Sequence, residues 1–227
     1  MIFKKLIIVL VISSMYVLVT GQDCALYLPI EKGATWEMSS YNARGKKAGV
    51  IRYELVDKTM NGDDIIFSVK TSFTDDKGKQ TFESDYEAYC HDGVFEIDMQ
   101  SKIDGYALGA YKDMKMEIDA TNYDVPELNT APGTKLEDAT LEVQVAGIFK
   151  MTINTIDRQV LAKETIETPA GTFECLVLTQ TTNSKMIIKV ESTTKEWYAP
   201  EVGLVRSESY NKNGKLTRYT ELTALNQ

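Results

Sequence analysis

From residue 48 onward the chain alternates apolar and polar residues with a period of two, and apolar residues seldom return at helical spacing. Ile65, Phe67, Val69 and Phe73 fall on one side of a predicted strand, with Ser68, Lys70 and Ser72 on the other. Phe95, Ile97 and Met99 alternate with Glu96 and Asp98 in the same way, and Met114, Met116 and Ile118 with Lys115, Glu117 and Asp119. Such segments are half-buried strands with one wet face. Asn61-Gly62 joins the strand 51–56 to the strand 65–73, and Asp92-Gly93 joins 82–90 to 94–99, because tight hairpins need positive φ at residues that tolerate it. Further strands follow at 141–145, 149–156, 160–166, 173–179, 186–191, 204–210 and 216–222.

Two departures from this rhythm carry information. Between Ala120 and Asp138 the alternation lapses around Pro126 and Pro132-Gly133, which predicts a long functional loop or a separator of two sheet halves. Three turns share one chemistry, at Asn42–Lys46, Asp75–Lys79 and Asn211–Lys215, each with an amide or carboxyl first, then Gly-Lys at the end. The first and last are flanked by Ser-Tyr, which fits a faint internal repeat or similar turn chemistry alone. About eleven or twelve strands and few short helices predict a mainly β protein, one large curved antiparallel sheet or open half-barrel.

The beginning of the chain differs from all of this. Lys4 and Lys5 precede the apolar run Leu6 to Leu18, and Val19-Thr20-Gly21 is a small-residue cleavage site, so residues 1–21 read as a signal peptide cut before Gln22. The apolar run is shorter than the roughly 20 residues of a spanning helix, so no membrane span is expected in the mature chain. Gln22 and Asp23 separate Cys24 from the cut, unlike a lipidated Cys directly behind it. The remaining single β-rich domain, 22–227, has 206 residues, and its formal charge moves from -8 to near -10. Export to the periplasm, the cell envelope or the exterior permits a disulfide among Cys24, Cys90 and Cys175. Pairing Cys24 with Cys90 ties the mature N-terminus to an early strand; three buried thiols are the alternative.

The composition excludes more than it assigns. His91 is the only imidazole and sits beside a turn, so Ser or Cys catalysis through a His base has little to work with. No nucleophile elbow, phosphate-cradling loop or dinucleotide fingerprint is present, and no cofactor is implied. The acidic balance without a Lys/Arg run argues against nucleic acid, and Asp63-Asp64 and Asp75-Asp76 do not make a hand-type calcium loop, so no metal site is assigned. Glu83, Asp85 and Asp124 supply carboxylates for a hydrolase only if they converge.

An apolar ligand, a lipid or acyl chain, is the remaining small-molecule reading. Met99, Met114, Met116, Met151 and Met186 fall on predicted strands and, with Phe67, Phe95 and Trp197, are the candidate lining of a concave face. Core filling accounts for the same residues. Tyr41, Tyr53, Tyr86 and Tyr89 are candidates for a cavity mouth or a sheet cover. An envelope protein partner met through a sheet edge or the 121–138 segment is the rival reading.

Two segments carry a family resemblance. Thr168-Pro169-Ala170-Gly171-Thr172-Phe173-Glu174-Cys175 and Trp197-Tyr198-Ala199-Pro200-Glu201-Val202-Gly203-Leu204-Val205-Arg206 resemble motifs of TapB-like exported bacterial proteins of unknown function, typical of Bacteroidetes-like bacteria. Glu201 stands where that group usually has Gly. Cys24, Tyr27, Pro29, Gly33 and Cys90 match its layout as well. Related families are similar to the LolA and LolB half-barrel lipoprotein carriers, and the resemblance therefore implies a curved sheet with an apolar concave face and no catalytic residues.

Overall fold

A computed structural model describes residues 24–103, 108–111, 113–147, 149–185 and 188–227. The predicted leader 1–21, its cleavage before Gln22, and Met186 lie outside these residues. Thirteen strands form one antiparallel sheet: β1 (Thr35–Asn42), β2 (Lys47–Asn61), β3 (Asp64–Asp75), β4 (Gln80–His91), β5 (Val94–Asp98), β6 (Met116–Ala120), β7 (Asn122–Val125), β8 (Ala139–Val145), β9 (Phe149–Thr168), β10 (Gly171–Lys185), β11 (Lys189–Ala199), β12 (Gly203–Tyr210) and β13 (Leu216–Asn226). Short 3-10 turns lie at Met99–Lys102 and Gly109–Tyr111. The predicted mainly β fold is the one observed, and the half-barrel is closed further than expected, into a barrel with one seam.

Order in the sheet runs β6-β8-β9-β10-β11-β12-β13-β1-β2-β3-β4-β5-β7. Its two edge strands, β6 and β7, are halves of one extended run, and that run closes the barrel. Met116 to Ala120 pair with Val145 to Leu141 of β8, while Asn122 to Val125 pair with Asp98 to Phe95 of β5. Thr121 stands between them: its N–H donates to Thr140 C=O at 2.9 Å, and its C=O accepts from Met99 N–H at 3.1 Å. The run is therefore hydrogen-bonded to both edges, which removes most of the unpaired edge an open sheet would expose.

Several expectations need correcting here. The 120–138 segment is not wholly a loop, because β7 lies in it; four residues stopping before Pro126 are too short to show periodicity. Segments 149–156 and 160–166 are one strand, β9, bent where Asp157 takes φ +53° and the inward phase passes from odd to even positions. Met114 is half exposed and precedes β6, whose Glu117, Ile118 and Asp119 are all exposed. The Asn61-Gly62 signal does mark a hairpin, but Asn61 pairs with Asp64, so Gly62 and Asp63 are its central residues. Asp92 and Gly93, with φ +50° and +78°, are the two central residues of the next.

The barrel is filled unevenly. Phe67, Val69, Ala88, Phe95, Tyr123, Leu141 and Val143 pack its lower half with almost no exposure, each large apolar side chain contributing roughly 1.5–3 kcal/mol. Residues 24–34 run across that end. Cys24 is joined to Cys90 by a disulfide across 66 positions, with 6.0 Å between Cα atoms. Tyr27 touches the rings of Phe95 and Tyr198 and donates its hydroxyl to Pro126 C=O at 2.7 Å. Gly203, at φ +99°, lies so close that an added Cβ would stand 2.8 Å from Tyr27 C=O. Cys175 is the buried free thiol, pushed up to about 12 by burial.

Candidate functional site

Above the core the barrel is hollow. A cavity of about 590 Å³ opens at the far end, between the hairpin tips where β1 and β2, β10 and β11, and β12 and β13 turn. That volume lies within the roughly 300–1,000 Å³ usual for small-molecule sites. Its walls differ in chemistry. Trp36, Met38, Ile51, Tyr53, Phe73 and Ile97, from β1 to β5, make an apolar side. Thr182, Ser184, Ser192, Thr194, Ser207 and Ser209, from β10 to β12, make a hydroxyl side. Trp36 and Tyr53 stack at 5.1 Å between ring centroids, 4° from parallel, and Tyr41 and Tyr219 stack at 4.9 Å at the mouth. Inward positions of β10 and β11 thus alternate small hydroxyls with outward residues, giving a wet wall opposite a dry one.

The floor is a buried polar cluster. Lys102, just after β5, donates to Glu196 on β11 at 2.8 and 2.9 Å and to the Tyr198 hydroxyl at 3.0 Å. Tyr123 and Tyr198 donate to Glu196 Oε2 at 2.7 and 2.9 Å, and the Tyr123 oxygen stands 2.7 Å from the Gln180 side-chain amide. Burial alone would raise the Glu196 carboxyl, but Lys102 and the two hydroxyls outweigh it and hold the group below its ordinary range. The same surroundings push the Tyr123 and Tyr198 hydroxyls well up. Behind Tyr123, the bend at Asp157 turns Arg158 inward, where its guanidinium lies 3.7 Å from the Tyr123 ring centroid and binds Asp124 and the Glu137 C=O. Every charge in the cluster has a partner across the seam, so it reads as a clamp that also floors the cavity.

Of the residues expected to line a concave face, Met151 does so; Phe67, Phe95 and Met99 sit in the packed core, Met116 is half-buried against it, and Met114 is exposed. Trp197 faces away from the cavity and donates to Glu164 at 2.9 Å. Tyr41, Tyr53 and Tyr86 line the cavity, whereas Tyr89 donates to Glu87 outside it. The structure does not bring the candidate carboxylates together: Glu83 and Asp85 are exposed on β4, and Asp124 is held by Arg158. His91 is exposed between Asp64, at 2.7 Å, and Asp92, at 3.2 Å; these carboxylates raise its pKa. Sequence reasoning missed the cluster itself. Glu196 looked like one of several polar residues on β11, while the phase change across Asp157-Arg158 was the available signal for an inward Arg.

Similar solved structures share the whole architecture. One, from Bacteroides fragilis, is provisionally described as an exported protein with a YmcC-like fold; it is 25% identical, with a TM-score of 0.82, over 90% of this chain and all of that one. Another, from Parabacteroides distasonis, provisionally described as a lipoprotein, is 24% identical, with a TM-score of 0.81 over the same shares. No curated protein matches the chain. The profile of the DUF3108-like family matches residues 31–222, from within the N-terminal segment 24–34 that plugs the closed end to the middle of β13, and the chain therefore belongs to the DUF3108-like family.

Proposed function

We propose that this is a non-enzymatic, exported protein of the periplasm or cell envelope that holds an apolar ligand, a lipid or single acyl chain, in its barrel. The observation that carries the reading is the end-opening cavity of about 590 Å³ with one aromatic and aliphatic wall and one hydroxyl wall. An acyl chain fits against Trp36, Met38 and Ile51, while ester, amide or hydroxyl groups of the same molecule meet the Ser and Thr side. A leader over residues 1–21 and a disulfide between Cys24 and Cys90 support an oxidising destination. The resemblance to TapB-like proteins, and through them to LolA- and LolB-type carriers, points the same way.

A fluorescent fatty acid tests this reading. Bound to the purified protein, its emission should rise, and Ser207→Trp or Ser209→Trp, which place a large ring in the cavity, should weaken binding roughly tenfold. Lys70→Trp, on the outer face of β3, should leave binding unchanged. Equal affinity in all three variants contradicts the reading.

A further inference from the structure

The three turns of shared chemistry lie together at the open end of the barrel. In each, the first side chain accepts from the backbone N–H groups two and four residues on: Asn42 from Arg44 and Lys46, Asp75 from Lys77 and Lys79, Asn211 from Asn213 and Lys215. The first residue thereby consumes its own polarity in the turn, and the residues after it point their charges outward.

The resulting charge is mainly basic. The neighbouring tips of β1–β2, β10–β11 and β12–β13 carry Arg44, Lys46 and Lys47, then Lys185 and Lys189, then Lys212 and Lys215, while the next tip, β3–β4, sets Asp75 and Asp76 against Lys77 and Lys79 and adds no net charge. Among the described residues two of these form ion pairs, Lys46 with Asp76 at 4.0 Å on the next tip and Lys212 with Glu191 at 3.8 Å. The chain as a whole has a formal charge of -8. Acidic tips cluster at the plugged end, with Asp63, Asp64 and Asp92; β2 and β3, which span the distance, are 15 and 12 residues long, roughly 40–50 Å of strand and several screening lengths at physiological salt. Beside the basic tips Ile188 is 75% exposed and Val190 55% exposed, between and after Lys185 and Lys189. A purely ionic partner gives these apolar side chains nothing to bury against, whereas the headgroup boundary of a bilayer accepts both kinds of group.

We propose that the open end of the barrel docks on an anionic lipid surface, with the basic tips against the headgroups, Ile188 at the interface, and the cavity mouth facing the bilayer. The proposal rests on the cavity reading above for what passes through the docked mouth. Each Lys or Arg within a screening length of such a surface strengthens partition by roughly fivefold.

Vesicles of phosphatidylglycerol and phosphatidylcholine, against vesicles of phosphatidylcholine alone, provide the test by flotation of the full mature protein. Wild type should float with the anionic vesicles, and the preference should shrink as salt rises. Lys212→Glu with Lys215→Glu should weaken flotation more than about tenfold, Ile188→Ser should weaken it less, and Lys32→Glu at the plugged end should have no effect. Equal flotation with both vesicle types, none with either, or an equal loss in Lys32→Glu overturns the docking proposal. Fatty-acid fluorescence in the same samples separates the two readings. Docking without fatty-acid binding refutes the cavity reading, and fatty-acid binding without docking refutes this one.

Discussion

The two ends of the barrel are made from the same hairpins and are finished in opposite ways. At the plugged end, residues distant in sequence converge: Cys24 with Cys90, Tyr27 with Pro126 and Tyr198, Gly203 against the Tyr27 backbone, and, one layer in, Lys102 with Glu196. At the open end most contacts are local, in five-residue turns whose backbone is satisfied largely within the turn, and the interior between them is hollow. Long-range contacts hold one end shut and leave nothing for a ligand. Self-contained turns at the other keep a mouth open without needing to pack across it.

Substitutions should therefore cost stability at one end and function at the other. The largest effect is expected from Glu196→Ala, which leaves Lys102 buried without its carboxylate and should cost about 3–5 kcal/mol in denaturant unfolding. Lys215→Glu, at the open end, should stay within about 0.5 kcal/mol of wild type. The Glu196 carboxyl titrates lower in the folded protein than its ordinary value, so its contribution is complete above the ordinary Glu range and is lost as the pH falls through the folded value. Wild type should lose stability with acid, and Glu196→Gln should flatten that acid limb; an unchanged limb would place the acid sensitivity elsewhere.

Next in size, Cys24→Ser releases a loop spanning 66 positions and should cost about 2–4 kcal/mol. Limited proteolysis should then cut first within residues 24–34, while the open end keeps its wild-type pattern. The smallest contrast compares two glycines of positive φ. Gly203→Ala combines left-handed strain with a 2.8 Å approach to Tyr27 C=O and should cost about 2–3 kcal/mol. Gly214→Ala, with nothing within 4 Å of the added carbon, should cost about 1 kcal/mol. Equal costs would mean that the plug moves aside freely.

Most of the wall was legible in the sequence because strand alternation is a local property: Phe67, Val69 and Phe73 declare their shared side without reference to the rest of the chain. The Asp92-Gly93 turn was equally plain. Closure was not, since β7 is four residues long and its role depends on a partner, β5, that alternation does not name. The cavity lining was half legible. Tyr41, Tyr53 and Tyr86 stood out as aromatic residues on strands, but Trp36 and Met38 face a hollow only because β10 to β12 present Ser and Thr opposite them. Packed core and cavity wall use the same apolar residue types, so Phe67 and Ile51 look alike until the opposite wall is known.

The central claim is that the hollow between these walls holds an apolar ligand. Native mass spectrometry of the protein purified gently from its own cell envelope tests it most directly. The account predicts a population heavier than the bare chain by the mass of a lipid or acyl chain, lost when Ser207→Trp fills the cavity. A single clean mass of the bare chain, unchanged by that substitution, would contradict it.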